Sequence, residues 1–294
     1  MKLSHLLTRS LVALLCLPAW AADPEGMPDL SDPEELLDAY VRTVGDTSGK
    51  PVLIYASVVV IGMYPGERGE KLFGLEVVGA SRFLPIDDGY QRLHREVGLY
   101  TDLETGEVLG RWNNPWSGEA VEVIHIQNDP VNFPYTVTTQ RGPRRVRFDD
   151  LGHTIAFHRQ IPLRYPNPLP KAQYPKYTAN DWYEAAELFN SFVSKEDLAD
   201  RSLTSLPEIG TWARSGPWLP WMEMGDRPGY LLYHGRSAKL MNGVDDLRPG
   251  LRAYIETHMP KYLTPPETFE EPNDTSWTYF KKVLDARAAA EGDS

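Results

Sequence analysis

Two tight turns about ten residues apart are the strongest constraint on how this chain folds. The turn at 103–106 ends in Gly106, where a hairpin needs left-handed backbone, and the turn at 115–118 ends in Gly118 in the same way. The stretches beside these turns alternate apolar and polar residues, as half-buried strands do. The pattern predicts a three-stranded antiparallel meander over 92–129.

Further strands follow from β-branched runs and from other turn signals. Residues 52–63 are so rich in valine and isoleucine that we expect both faces of this strand to be covered. A return strand is expected over 72–84, and a hairpin is expected to join 144–148 to 153–163. Two later strands are expected over 212–224 and 230–237. The predicted fold class is mainly β with peripheral helices, built on an antiparallel, barrel-like sheet.

Four helices are predicted. Ser31 and Glu34 have the spacing of a capping box, which begins a helix that reaches Val44. A proline-rich stretch over 162–175 predicts a stiff connector, because proline is excluded from central strands. Thr178 then caps an inserted helix over about 178–194. The closing helices are expected over 247–258 and 276–288.

The first 22 residues have the pattern of a signal peptide. Lys2 and Arg9 precede an apolar stretch at 11–20, and small residues lie at the two positions that signal peptidase reads, with cleavage near Ala21. This predicts a periplasmic or secreted protein. An uncleaved anchor is the alternative, whereas a lipid on Cys16 is disfavoured by the large leucine before it.

The resulting organisation has four parts. They are a signal peptide over 1–22, an N-terminal helical segment over 23–50, a single antiparallel barrel-like domain over 51–275 that contains the inserted helix, and a C-terminal helix and tail over 276–294. A single domain is favoured because strands are expected on both sides of the proline-rich stretch.

Composition limits the partners and cofactors. Cys16 is the only cysteine, so the processed chain would have neither a disulfide nor a cysteine-bound metal. The net charge of −11 argues against nucleic acid and against anionic membrane surfaces, although it is also what keeps many exported proteins soluble. After cleavage, no stable membrane insertion is expected. His153 and His158 would lie on opposite faces of one strand and could not bind the same metal ion. No metal and no other cofactor is predicted.

Side-chain alternation in the meander assigns its residues to two faces. One face is apolar and is expected to be buried; it comprises Leu93, Val97, Leu99, Val108, Trp112, Val121 and Val123. The opposite face carries His94, Glu96 and Tyr100 and is expected to be solvated.

Three polar residues, Arg95, His125 and Gln127, share the apolar face. A buried polar group needs a partner, because leaving it unpaired costs roughly 2–7 kcal/mol. The predicted catalytic group is therefore His125, with Arg95 and Asp129 orienting it, and Gln127 and Asn128 are expected to bind ligand. Two alternatives stay open: these groups satisfy one another, or Asn128 and Asp129 only form a turn.

A second group of candidate ligand-binding residues lies after the proline-rich stretch. Trp218, Trp221 and Tyr233, together with Trp112 of the meander, could line an apolar cavity, and His234 and Arg236 could extend it as a polar rim. The alternatives are that the aromatic residues are core and that the last two are exposed. The sequence contains no nucleophile elbow, phosphate loop, dinucleotide fingerprint or zinc-protease motif.

Five segments carry a family resemblance. Residues 105–109, 112–119, 125–132, 216–222 and 233–236 resemble the exported bacterial and fungal proteins of domain-of-unknown-function family 1838. The resemblance implies a shared fold and export, and brings no activity, cofactor or catalytic residue with it. The strand-rich layout is more loosely similar to lipocalin-like barrels, which include both carriers and enzymes.

Two functional hypotheses follow. The first is a periplasmic binding or carrier protein for a hydrophobic or aromatic small molecule held in a barrel pocket. The alternative is a cofactor-independent lyase, isomerase or hydrolase that acts on a similar substrate and uses His125 as its acid or base. A structural protein of the cell envelope is a third possibility, and the oligomeric state is left open.

Overall fold

The computed structural model describes residues 23–140, 142–143 and 146–292. The signal peptide predicted over 1–22 lies outside the described residues, as do positions 144 and 145 at the start of the strand predicted over 144–148. Within the described part of the chain, no helix is both long and apolar enough to cross a bilayer.

The elements of the described chain are numbered in chain order. The strands are β1 Val52–Met63, β2 Glu70–Ile86, β3 Gly89–Thr101, β4 Arg111–Asn113, β5 Ala120–Glu122, β6 Ile126–Asn128, β7 Phe133–Thr136, β8 Thr138–Thr139, β9 Gly142–Pro143, β10 Arg147–Asp150, β11 Thr154–Pro166, β12 Trp182–Ser194, β13 Ile209–Gly216 and β14 Tyr230–Leu240. The α-helices are α1 Pro33–Val44, α2 Lys195–Ala199, α3 Pro249–His258 and α4 Ser276–Gly292, and short 3-10 helices occupy Pro220–Met222, Gly243–Asp246 and Pro260–Leu263.

Most of these strands form one ten-stranded sheet in the described chain, with every pair antiparallel. The order is β10-β11-β12-β13-β14-β1-β2-β3-β6, and β7 pairs with another part of β3. The expectation of a mainly β, antiparallel fold with few helices is thereby confirmed. No hydrogen-bonded ladder joins β10 to β6 within the described residues.

The sheet curls strongly about one of its faces. Arg159 of β11 donates a hydrogen bond from Nη1 to the hydroxyl of Tyr135 of β7, at 2.7 Å. These strands are seven steps apart in the sheet order, which would separate them by roughly 33 Å if the sheet were flat. Direct contact between their side chains therefore requires strands near both ends of the sheet to approach each other.

We call the concave side of this sheet the inner face and the other side the outer face. Directly opposed residues of paired strands point to the same side, so the register identifies the inner face strand by strand. One inner-face row crosses six neighbouring strands through Phe189, Trp212, Gly235, Val58, Leu75 and Tyr100.

Apolar clusters cover both ends of the inner face. At one end α1 packs its Tyr40 ring 5.9 Å from Tyr135 and 5.7 Å from Phe157. At the other end, Trp221 packs 5.1 Å from Tyr100, within a core that also contains Trp277 of α4. The middle of the inner face lies between these two apolar ends.

The outer face of β1 to β3 is covered in part by α3 and by the 3-10 helix Pro260–Leu263. Leu251 and Ile255 of α3 join Val97 and Leu99 of β3 in one buried cluster. Both faces of β3 are therefore buried from Val97 to Thr101. The expectation for residues 52–63 holds only in part, because on the outer face of β1 Leu53 is buried whereas Ser57 and Val59 keep accessible surface. The expectation that His94 and Tyr100 are solvated was wrong: they are only 5% and 1% exposed, because the side opposite Val97 is the inner face.

The helix predicted over 178–194 was also wrong, because this stretch is β12. Strand β12 pairs with β11 along one edge and with β13 along the other. These two ladders satisfy its backbone groups, and they outweigh helix propensities that differ by less than about 1 kcal/mol per residue. The short helix α2 follows at Lys195–Ala199.

The proline-rich stretch begins inside a strand, contrary to the sequence-based expectation. Pro162 and Pro166 belong to β11, which pairs with β12 over its whole length. On its other edge β11 pairs with β10 only through residues 155–158. Pro162 therefore lies where one edge of the strand is open, and a missing N–H is tolerated there.

The meander formed only in part. Trp112 lies opposite Val121 and Thr101 bridges Val108, as the turns predict. The third predicted strand, however, is divided into β5 and β6. β5 pairs with β4, whereas β6 pairs directly with β3 and places Gln127 opposite Val97.

Smaller differences concern the ends of elements. The N-cap of α1 is Asp32, whose carboxylate accepts from the backbone of Glu34 and Glu35, while Ser31 bonds to Asp29 outside the helix. The strand expected over 212–224 ends at Gly216, because prolines follow it at 217 and 220. The closing helices lie where the sequence predicts them.

Candidate functional site

A band of charged and amide side chains crosses the middle of the inner face, between its two apolar ends. We call this band the polar belt; it comprises Arg92, His94, Glu96, Asn128, Arg159, Glu187 and Arg214. Charged groups are costly to bury unless they are paired or hydrogen-bonded. The polar belt is therefore the part of the interior that calls for a functional explanation.

His94 is held at its Nδ1 side by two oxygens. The Ser81 hydroxyl lies 2.8 Å from Nδ1, and the Ala80 carbonyl lies 3.0 Å from it. The Ser81 hydroxyl also accepts from Nε of Arg92 at 3.1 Å. Burial, together with the Arg92 charge, lowers the pKa of His94 to about 4, so its imidazole is neutral near pH 7.

Glu96 has a donor at each carboxylate oxygen. Asn128 donates from Nδ2 to Oε1 at 2.7 Å, and Nε2 of His94 lies 3.5 Å from Oε2. Burial by itself would raise the pKa of Glu96, but the hydrogen bonds from His94 and Asn128 and the Arg92 charge lower it below its ordinary value. Glu96 is therefore a carboxylate at neutral pH.

The opposite wall of the inner face carries two arginines stacked on aromatic rings. The guanidinium carbon of Arg159 lies 4.3 Å from the ring centre of Phe189, and that of Arg214 lies 5.0 Å from the ring centre of Tyr233. Nε of Arg214 is 3.4 Å from Oε1 of Glu187. Stacking on rings and a carboxylate neighbour hold these cations at fixed positions.

Several buried polar atoms of the inner face have no hydrogen-bond partner among the described residues. The donors are Nε of Arg159, Nε of Arg214, Nε1 of Trp212 and the Tyr233 hydroxyl, and the acceptor is Oδ1 of Asn128. An unsatisfied buried group costs about 1–3 kcal/mol. A set dominated by donors is suited to a molecule that offers acceptor atoms.

Some belt residues keep accessible surface although they point inward. Glu96 retains 32% of its side-chain surface and Glu187 retains 22%, whereas His94 retains 6%. Because the register places both carboxylates on the concave side, we infer that their accessible surface faces the space between the two walls of the sheet, which we call the recess. Burial raises the pKa of Glu187. With both glutamates ionised and His94 neutral, the three arginines leave the polar belt with one positive charge.

The residues predicted from sequence as a catalytic unit are divided between two places. Arg95 and Asp129 form an ion pair on the outer face, with Nε 3.1 Å from Oδ1, and Lys261 lies 2.9 Å from Oδ2 of the same carboxylate. His125 lies elsewhere: its Nδ1 accepts from the backbone N–H of Tyr100 at 3.2 Å, and its ring stacks on that tyrosine. The structure thus brings Arg95 to Asp129 but does not bring His125 to either.

The neighbouring ligand-binding candidates are separated by strand alternation. Asn128 is opposite Glu96 in the register and belongs to the polar belt. Gln127 is opposite Val97 and lies on the outer face, near Tyr279 of α4.

The aromatic candidates share one buried cluster. Trp112, Trp218, Trp221 and Tyr233 all belong to the cluster that covers one end of the inner face, where the ring centre of Tyr233 also lies 5.0 Å from the guanidinium carbon of Arg214. His234 and Arg236, on the same strand as Tyr233, are exposed on the outer face.

Sequence reasoning missed most of the polar belt. Arg92, His94 and Glu96 alternate along one strand, which is a detectable signal, but His94 and Glu96 were assigned to the solvated face and Arg92 to neither face. Glu187 was hidden because its strand was predicted as a helix, and Arg214 was not singled out although it alternates with Trp212. Among the described residues, no three His, Cys, Asp or Glu side chains are grouped as a metal site.

A family model matches most of the chain. The family model described as "Protein of unknown function (DUF1838)" matches residues 50–284, which covers the whole sheet together with α3 and the first half of α4. A search of curated proteins finds no match.

Proposed function

Because this chain belongs to the DUF1838 family, whose description assigns no activity, we propose from its own geometry that it binds a small aromatic molecule with an anionic group on the inner face. The proposal refines the first sequence-based hypothesis, which named a hydrophobic or aromatic ligand. It adds the anionic group and moves the binding site to the recess beside the polar belt.

The unsatisfied donors of the inner face are the observation that carries this proposal. Nε of Arg159, Nε1 of Trp212 and the Tyr233 hydroxyl have no hydrogen-bond partner among the described residues, and Nε of Arg214 has only its ion-pair contact with Glu187 at 3.4 Å. A carboxylate offers about four lone-pair sites, and it would also neutralise the single excess positive charge of the belt.

The aromatic part of the ligand is inferred from the walls of the recess. Trp212 lies 6.3 Å from Phe189 and 5.6 Å from Tyr233, the two rings on which the arginines stack. Trp212 and Phe189 are only partly buried, so ring surface is available for stacking. Such pairs of rings contribute about 0.5–1.5 kcal/mol beyond the burial of their area.

We also propose the broader features expected from the sequence, namely the shape of the container, the location of the protein and an enzymatic alternative. The curled sheet would act as a barrel-like, lipocalin-like container, and the chain would work in the periplasm or outside the cell after cleavage near Ala21. A cofactor-independent lyase, isomerase or hydrolase remains the second candidate, and the pairing of His94 with Glu96 favours it.

Matched ligands test the proposed binding. Naphthalene-2-carboxylate and naphthalene-2-carboxamide have the same ring, and only the first is charged. We expect the carboxylate to quench tryptophan fluorescence with at least tenfold higher affinity, which corresponds to about 1.4 kcal/mol. Equal affinities, or no binding of either compound, would contradict the proposal.

Two arginines of one strand provide the variant and its control. Arg159→Met removes a belt cation and should weaken carboxylate binding at least tenfold while leaving carboxamide binding unchanged. Arg164 belongs to the same strand, is 61% exposed and pairs with Glu184 on the outer face. Arg164→Met should therefore bind both compounds as the unsubstituted protein does, and thermal melting checks that both variants are folded.

A further inference from the structure

We propose that Glu96 is a catalytic base at the edge of this recess and that His94 positions it, so that a bound aromatic acid undergoes proton transfer at a carbon next to a carbonyl group. This inference rests on the proposed function, because the same recess must first bind the acid. It replaces the sequence-based assignment of acid–base work to His125.

Accessibility singles out Glu96 within the polar belt. Glu96 keeps 32% of its side-chain surface, the larger exposure of the two belt carboxylates, and it faces the recess. Glu187 is held beside Arg214 at 3.4 Å as a counter-ion, whereas no arginine lies within ion-pair distance of Glu96 in the described chain. Glu96 is therefore the carboxylate that is free to exchange a proton with a ligand.

The surroundings of His94 accommodate both protonation states of Glu96. When Glu96 is ionised, Nε2–H of His94 donates to it and Nδ1 accepts from the Ser81 hydroxyl, 2.8 Å away. When Glu96 is protonated, its hydroxyl donates to Nε2, and Nδ1–H donates to the Ala80 carbonyl, 3.0 Å away. Two oxygens at Nδ1 thus serve the two tautomers.

A purely structural histidine would need only one of these arrangements. Here the hydrogen-bonded chain continues from His94 through Ser81 to Nε of Arg92 at 3.1 Å, so the imidazole is fixed in orientation. The separation of 3.5 Å between Nε2 of His94 and Oε2 of Glu96 is long for a hydrogen bond. Catalytic hydrogen bonds are often long in an empty site and shorten when a ligand binds.

The proposed step balances without an oxidant, a reductant or a second substrate. Glu96 takes a proton from the carbon next to the carbonyl, and the electron pair of that C–H bond forms the carbon–carbon double bond of an enolate. The negative charge moves to the carbonyl oxygen, which the unsatisfied donors of Trp212, Tyr233 and Arg214 can stabilise. Return of the proton to carbon or to oxygen completes a tautomerisation.

Phenylpyruvate is a suitable probe, because it combines an aromatic ring, a carboxylate and an acidic CH₂ next to a ketone. Exchange of its CH₂ protons in D₂O can be followed by proton NMR, and its affinity can be measured by tryptophan fluorescence. We expect the protein to accelerate exchange, and Glu96→Gln to reduce the acceleration by roughly 10²–10⁴ while phenylpyruvate affinity stays within about tenfold.

Glu184→Gln is the matched control, since Glu184 is exposed on the outer face and pairs with Arg164. It should exchange phenylpyruvate at the rate of the unsubstituted protein. A protein that binds phenylpyruvate without accelerating exchange would overturn the proton-transfer proposal alone. A protein that binds neither phenylpyruvate nor naphthalene-2-carboxylate would overturn the proposed function as well.

The positioning role of His94 is tested by the pH profile of exchange. His94 lowers the pKa of Glu96, so His94→Gln should move the acid limb of the profile to higher pH as well as slow exchange. If this variant does not fold, Ser81→Ala removes only the hydroxyl at Nδ1 and should move the same limb in the same direction. A slower reaction with an unmoved acid limb would contradict the positioning role.

Discussion

Glu96 and His94 owe their properties to the side of the strand on which they lie. Arg95 lies between them in the sequence, on the outer face, where it forms an ion pair with Asp129. On the inner face, burial and the Arg92 charge lower the pKa of His94, and the hydrogen bonds from His94 and Asn128 lower that of Glu96, so that Glu96 is ionised and able to accept a proton. Alternation by a single position therefore separates a structural ion pair from a candidate catalytic carboxylate.

Gly79 is opposite Glu96 in the register, and it makes room for the His94 ring. A Cβ added at Gly79 would lie 2.7 Å from Cε1 of His94, so the imidazole would have to move. We expect Gly79→Ala to lower the free energy of unfolding by about 1–3 kcal/mol and to reduce phenylpyruvate exchange. Urea unfolding and NMR exchange measure the two effects.

The control for this substitution is Gly110→Ala, because no atom lies within 4 Å of a Cβ built at Gly110. Its free energy of unfolding should change by less than about 0.5 kcal/mol, and exchange should be unaffected. Equal behaviour of the two alanine variants would show that the His94 ring does not depend on the space beside Gly79.

At the scale of elements, the helices that cover the ends of the inner face contribute to the site as much as the strands that form it. Helix α1 packs Leu37, Tyr40 and Val41 against one end, in a cluster with Phe83 and Phe157. This packing leaves α1 with a definite role: it excludes water from one side of the polar belt and so strengthens the electrostatic interactions there.

The N-cap of α1 is expected to stabilise the whole fold. Asp32 accepts from the backbone of Glu34 and Glu35 at 2.9 and 3.0 Å. Asp32→Ala should therefore lower the free energy of unfolding by about 0.5–2 kcal/mol, as measured by urea unfolding. Ser31→Ala is the comparison: Ser31 bonds to Asp29 outside the helix, so a larger loss there would mean that Ser31 is the cap.

For the whole molecule, two buried imidazoles connect stability to pH. Burial lowers the pKa of His94 and that of His125 to about 4, whereas the ordinary value is 6.5. Between these values the unfolded chain binds protons that the folded chain does not bind. The contribution is therefore complete above pH 6.5 and decreases as pH falls towards 4.

We expect the free energy of unfolding to fall between pH 6.5 and pH 4, by at most about 3 kcal/mol for each ring. His125→Asn should reduce this slope, because the unfolded chain then has one fewer imidazole to protonate. His234→Asn, at an exposed ring, is the control. Urea unfolding at several pH values measures the slope, and equal slopes in His125→Asn and the unsubstituted protein would contradict the assignment.

Much of the fold followed from local signals in the sequence. Turn glycines, β-branched runs and alternation located β1, β2, β3 and the two turns of the meander, and helix periodicity located α1, α3 and α4. These signals are local, since a turn or an amphipathic helix depends on residues a few positions apart. The family resemblance, carried by short segments, was confirmed over residues 50–284.

Tertiary structure alone decided which side of each strand faces the interior. In β3 both sides are buried, so alternation separated His94 and Glu96 from Val97 and Leu99 without identifying the concave side. In β12, pairing on both edges replaced the predicted helix and brought Glu187 beside Arg214. Curling of the sheet and the helices covering it depend on contacts between residues far apart in the chain, and short-range patterns carry no record of those contacts.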